Sequence, residues 1–168
     1  EATRMSTLVN DLLSLTRIER LEHTPPNQSI NLVEVLNEVS NICSERNFRN
    51  GSKYKFKIPK KNILIVGDNS ELKQVFLNII ENAIIHSNSS KPVEIKLSNS
   101  NSGVVFSVKD YGVGISNRNI PLLTKRFFRV DPSRSRESGN TGLGLSIVKH
   151  ILNRHNAELN IISTVNKG

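Results

Sequence analysis

Apolar positions along the 168-residue chain follow two rhythms. Near the start, Met5, Leu8, Leu12 and Leu15 keep the three-four spacing of a bundle seam, widened by Val9, Leu13, Ile18 and Leu21. Arg4, Asp11, Arg17, Arg20 and Glu22 fall elsewhere on the wheel, so residues 1 to about 22 are predicted to form one long amphipathic helix. A lone helix of that length is marginal in water and its stripe needs a cover. With no capping residue ahead of Glu1, the helix reads as part of a truncated helical hairpin that dimerises. Pro25 and Pro26 break it and mark a boundary.

Beyond the prolines the rhythm alternates between helical and extended. A helix is predicted over Asn31 to Arg46, with Leu32, Val35, Leu36, Val39, Ile42 and Cys43 on one face. Strands follow near Tyr54 to Ile58 and Ile63 to Val66. Asp68, with Glu71 three residues on, opens a helix that runs to about His86. Strands at Val93 to Leu97 and Val104 to Lys109 flank an Asn-Ser-rich turn, and a short helix covers Ser116 to Leu123. Lys125 to Asn140 is polar and basic, a length of loop that suggests a mobile functional segment. A glycine-rich turn then leads into a helix, and a final strand spans Glu158 to Ser163.

With 36% hydrophobic residues the chain can bury a real core, and the single Cys43, placed in a helical pattern, excludes an intrachain disulfide. That suits a reducing cytoplasm. No apolar run is long enough to span a bilayer and the start shows no signal-peptide pattern, so the segment is expected to be soluble and free of membrane contact. A net charge of +8 invites a nucleic-acid partner, yet the basic residues are dispersed, Trp is absent and aromatics are 5%, which argues against one.

Candidate chemistry gathers in four places. Between Ser138 and His150, Gly139, Gly142 and Gly144 fall at the start of a helical pattern of Leu143, Ile147, Val148 and Ile151, so a glycine turn runs into a helix N-terminus, where backbone N–H groups and the helix dipole favour phosphate. Neither a Walker A loop nor a dinucleotide fingerprint fits the spacing. On the helix from Leu72 to His86, Asn78 and Asn82 lie one turn apart; two neutral amide oxygens suit a Mg²⁺ ion that already holds phosphates. Asp110 to Ile115 ends an apolar strand with a carboxylate fit to accept from an adenine amine, and Gly112 and Gly114 let backbone approach a flat base. Lys125, Arg126, Arg129, Arg134 and Arg136, anchored by Phe127 and Phe128, place cations where a lid can meet phosphates. Each cluster has a plainer reading: a helix cap, an incidental Asn pair, a strand-end turn, a solvated loop.

The order of the four is more specific than any one. Asn-x-x-x-Asn, Asp-x-Gly-x-Gly, Phe-Phe-Arg and Gly-x-Gly-Leu closely resemble the catalytic ATP-binding domain of sensor histidine kinases, and the run from Phe127 to His150 is similar to the phosphate-regulon type. The resemblance implies an α/β (α+β) two-layer sandwich of the histidine kinase, gyrase and Hsp90 type, with a mixed sheet and helices on one face. Residues 1–24 would be part of the dimerisation and phosphotransfer hairpin, and 25–168 the ATP-binding domain, its final strand missing. It also implies ATP and Mg²⁺ as ligands. Asn82 would bind the metal with Asn78 beside it. Asp110 would read adenine in a pocket with Gly112, Gly114 and Ile115, and His86 would replace an aromatic base contact. Arg129, Arg134 and Arg136 would face the outer phosphates, and Thr141, Gly142, Leu143 and Gly144 would cradle them. The implied reaction passes the γ-phosphate to a histidine and on to an aspartate of a response regulator. His23, His150 and His155 do not match the phosphoacceptor motif.

Related ATPases and serine kinases of this fold carry a general-base Glu four residues before the metal-binding Asn, where this chain has Asn78. That favours transfer to a histidine. An ATPase or serine kinase, and a basic nucleic-acid-binding module, stay open as alternatives.

Overall fold

The computed structural model describes residues 2–45, 54–87, 89–101, 103–130, 141–165 and 168. In chain order the elements are α1 (Ala2–Leu21), β1 (Gln28–Asn31), α2 (Leu32–Glu45), β2 (Tyr54–Lys57), β3 (Leu64–Gly67), α3 (Asn69–His86), β4 (Val93–Ser100), β5 (Gly103–Lys109) and α4 (Gly144–Arg154), with a 3₁₀ turn at Ile120–Leu122. They form two compact units: Asn27–Gly114 with Val165–Gly168, and Glu1–Pro26 with Ile115–Thr164. No described helix is long and apolar enough to cross a membrane.

The first unit is a helix layer on a mixed sheet. β2 runs parallel to β4, and β5 antiparallel to it. Val93, Ile95 and Leu97 of β4 are buried while Lys96 between them is exposed, the alternation of a sheet with one covered face. α2 packs on α3 and α3 on the sheet, burying Val35, Leu36, Val39 and Cys43 from one helix and Val75, Phe76, Ile80 and Ile84 from the other. The rings of Phe76 and Phe106 meet at 4.3 Å between centroids. Each such side chain removed from water contributes on the order of 1.5–3 kcal/mol. α3 begins where the sequence places it: the Asp68 carboxylate accepts from the Glu71 N–H at 3.1 Å and caps the helix.

β1 was not foreseen. It is four residues long, three of them polar, and it pairs antiparallel with β3, across Ile30 and Ile65. Asn31 explains the junction to α2. Its buried side-chain oxygen accepts from the N–H groups of Val33 and Ile63, both at 3.2 Å, and its amide donates to Glu34. The residue expected to begin the helix instead caps it and ties it to the loop ahead of β3.

In the second unit α1 packs on α4. The expected seam is covered only in part: Leu15 and Ile18 are buried, whereas Met5, Val9, Leu12 and Leu13 are exposed. Length accounts for this. α4 has 11 residues against 20 in α1, so it spans about 16 Å of a helix about 30 Å long. The covered end is locked by the buried Arg154, whose Nε donates to the carbonyls of Leu21 and Thr24, and by Glu22, which accepts from Asn153 and pairs with His150. These bonds give His150 a packing role, and the His155 ring contacts the Ile151 carbonyl.

Two expectations for this unit are corrected. The short helix over Ser116 to Leu123 is a chain of i→i+3 turns, Asn119 to Ser116, Leu122 to Asn119 and Leu123 to Ile120, with Pro121 near the start of the only 3₁₀ segment among the described residues. Glu158 to Ser163 forms no ladder. A strand needs a neighbour for its backbone groups. Here Ser163 serves through its side chain, its Oγ accepting from the Ile115 N–H at 2.9 Å.

Candidate functional site

The residues singled out by the sequence fall in both units, and each group has its own geometry. On α3, Asn78, Asn82 and His86 succeed one another at four-residue intervals and form a polar line along one side of the helix, beside the face that buries Val75, Phe76, Ile80 and Ile84. Both asparagines are half-buried, and His86 stands in the last turn. The line ends against the turn that follows β5. Asp110 Oδ1 accepts from the Gly112 N–H at 2.8 Å, which closes the turn. A Cβ on Gly112 would lie 2.4 Å from the backbone oxygen of His86. The glycine is therefore required by the approach of the turn to the end of α3, a reason the sequence did not reveal. Although the His86 ring has exposed surface, protein packed around it holds its pKa below that of free imidazole, and the Asp110 carboxylate opposes that shift.

Two neighbours steady this turn. Tyr111 donates its hydroxyl to Glu94 Oε1 at 2.6 Å, and its ring lies 5.1 Å from each of the ammonium groups of Lys91 and Lys109. The hydrogen bond raises the Tyr111 pKa and lowers that of Glu94, which Lys57 lowers further. Gly168 packs so close that a Cβ there would meet the Asp110 carbonyl at 2.6 Å. Neither was singled out, because the partners of each lie far along the chain. Gly114 has a left-handed φ of 70°, a backbone conformation that favours glycine.

The remaining candidates lie in the other unit. The Ile115 N–H is held by Ser163. Phe127 donates its N–H to the Gly142 carbonyl at 2.9 Å, with φ of 61° at Phe127 and 76° at Gly142. A Cβ on Gly142 would sit 3.0 Å from the Phe127 Cα. The expected apolar anchor thus works through backbone. The Phe127 ring is 55% exposed, and Phe128 is the half-buried member of the pair. Thr141 is buried, its hydroxyl accepting from the Leu143 N–H at 3.2 Å. Leu143 is the N-cap of α4 and provides no side-chain cap, and Gly144 begins the helix. Uncapped N-termini of this kind suit anionic oxygens. Arg129 is half-buried. Arg134 and Arg136 lie outside the described residues.

The donor set bears on the metal. Among the described residues no group of three or more His, Cys, Asp or Glu side chains is placed to hold an ion. Asn78 and Asn82 offer neutral oxygens, which fit a Mg²⁺ ion that arrives with phosphates and water as its other ligands.

A family model described as "Histidine kinase-, DNA gyrase B-, and HSP90-like ATPase" matches residues 67–168. Among curated proteins, the phosphate regulon sensor protein PhoR of Pseudomonas aeruginosa is 35% identical over all of this chain and 38% of its own length. PhoR of Haemophilus influenzae is 48% identical over 66% of the chain and 26% of its own length. The chain therefore spans well under half the length of these relatives. A solved structure of the mycobacterial sensor histidine kinase MprB superposes with a TM-score of 0.64 and 26% identity, over 77% of this chain and 80% of that one.

Proposed function

We propose a function that proceeds from one premise: the chain belongs to the histidine kinase-, DNA gyrase B- and HSP90-like ATPase family. It is homologous to the ATP-binding catalytic region of sensor histidine kinases. On our reading it binds Mg·ATP and, within a longer protein, donates the γ-phosphate to a histidine supplied from outside residues 1–168. An aspartate of a response regulator then receives the group. Residues 1–24 would belong to the dimerisation hairpin of a homodimer, residues 25–168 to the nucleotide-binding part, and the segment would lie on the cytoplasmic side.

The observation that carries this reading is the polar line Asn78, Asn82 and His86 running into the Asp110–Gly112 turn. Asp110 keeps one carboxylate oxygen on Gly112, and the other would accept from an adenine amine, with Gly112, Gly114 and Ile115 shaping the pocket. Asn82 would hold Mg²⁺ with Asn78 supporting it, and the ion would supply charge neutralisation for the phosphates. Thr141, Gly142, Leu143 and Gly144 would receive phosphate at the start of α4, with Arg129 as a cation beside them. Asn78 cannot accept a proton as a carboxylate does, so the chain supplies positioning and charge rather than a base for hydrolysis. An imidazole acceptor is already nucleophilic and needs none.

Calorimetric titration with ATP, with and without Mg²⁺, tests the reading. Saturable binding should weaken at least about tenfold in Asp110→Ala, a loss of about 1.4 kcal/mol. Asn82→Ala should remove most of the Mg²⁺ dependence. A folded chain that binds no ATP overturns the proposal.

A further inference from the structure

The loop read as a phosphate cradle is already engaged by the chain's own first helix. The Thr141 hydroxyl donates to Asp11 Oδ2 at 2.6 Å, while its oxygen accepts from the Leu143 N–H. A hydroxyl has one proton, and this one is committed to a carboxylate of α1. Two turns further along the same helix, Glu19 pairs with Arg126, the residue before Phe127, whose N–H holds the Gly142 carbonyl. One helix therefore places a carboxylate on each side of the junction, at Thr141 and at Arg126. Asp11 also puts a negative charge beside the start of α4, where the helix dipole favours an anion.

From this arrangement we infer that Asp11 is a built-in competitor for nucleotide phosphate, so that docking of α1 on the loop and phosphate binding at Thr141 exclude one another. The inference rests on the reading of Thr141–Gly144 as the phosphate loop. Two anions cannot share one hydroxyl proton, and in a half-buried setting they repel. Release of this end of α1 sacrifices little apolar burial, because Met5, Val9, Leu12 and Leu13 are exposed while it is docked. The far end stays tethered by Arg154 on the Leu21 and Thr24 carbonyls. Nucleotide binding thus frees the Asp11 end of α1, and docking of α1 lowers affinity for nucleotide.

The test compares the intact 168-residue chain with its Asp11→Asn variant, each titrated with Mg·ATP and with adenosine, which lacks phosphate. Asp11→Asn should tighten Mg·ATP binding about tenfold, within the usual range of coupling between linked sites, and leave adenosine unchanged. In the parent chain, Mg·ATP should speed hydrogen exchange of amides near Asp11. Equal Mg·ATP affinities in the two chains overturn the inference and leave the ATP reading intact. A change shared by ATP and adenosine marks a structural effect and overturns it as well. Absence of ATP binding in both folded chains overturns the inference together with the function it rests on.

Discussion

Asn78, Asn82 and His86 are placed by a single regular element. α3 is capped by Asp68 and buried along Leu72, Val75, Phe76, Ile80 and Ala83, so the spacing of the polar residues follows from helix geometry. Thr141, Gly142 and Leu143 belong to no such element until α4 begins. Their positions are set by Phe127, through a backbone hydrogen bond between two left-handed residues, and by Asp11, 130 residues away in sequence. One region carries its polar groups on a rigid helix; the other is assembled from distant pieces. The difference teaches that the first should resist substitution except where backbones touch, while the second should respond to changes far from it.

The largest expected effect tests the touching point. Gly112→Ala forces a Cβ toward the His86 carbonyl at 2.4 Å and toward the Asp110 carboxylate at 3.0 Å. The turn or the end of α3 must shift, at a cost of about 2–3 kcal/mol. Urea denaturation should show that loss, and ATP titration a weakened site. A variant as stable as the parent would mean that the turn and α3 are not rigidly coupled.

Arg154→Ala probes the assembled region from a distance. It removes the Nε donor from the Thr24 carbonyl and the second donor from the Leu21 carbonyl, which keeps the Thr24 N–H, and it removes a buried side chain, which should cost about 1–3 kcal/mol. Exchange of α1 amides should rise more than that of α3. Gly142→Ala comes next: a left-handed φ of 76° and a contact 3.0 Å from the Phe127 Cα predict about 1–2 kcal/mol. Gly142→Asn, which tolerates that φ better, should lose less if conformation dominates and as much if the contact does.

The same contrast decided what was legible in the sequence. The start of α3 and its polar spacing were readable because periodicity and cap lie within a few residues of one another. The core position of Cys43 was readable for the same reason. The glycine turn leading into α4 was visible as composition. Not visible were the bonds from Asp11 to Thr141 and from Arg154 to the end of α1, because no periodic signal links residues so far apart. β1 escaped notice because its four residues, three of them polar, gain meaning only beside β3. The seam of α1 read as continuous because a wheel shows which face is apolar and not how much of it a shorter partner covers.

The smallest effect is a dependence on pH, and it separates the units. In one, Glu22 is held below the ordinary carboxylate range, first by the hydrogen bond from Asn153 and then by His150. In the other, Glu94 is lowered by Tyr111 and then by Lys57. A carboxyl whose pKa falls on folding stabilises the fold fully above its unfolded value, and that stability is lost as the pH falls through the folded value. The loss should therefore begin near about pH 4.3 and continue downward. For Glu22, close to the surface, it should amount to less than about 1 kcal/mol. Glu22→Gln should flatten the acid sensitivity of α1 amide exchange and leave the raised pKa of Tyr111, read by its ultraviolet titration, unchanged. Glu94→Gln should do the reverse, bringing Tyr111 down toward the pKa of free tyrosine while α1 keeps its response to acid. Crossed effects would show that the two units do not hold their charges independently.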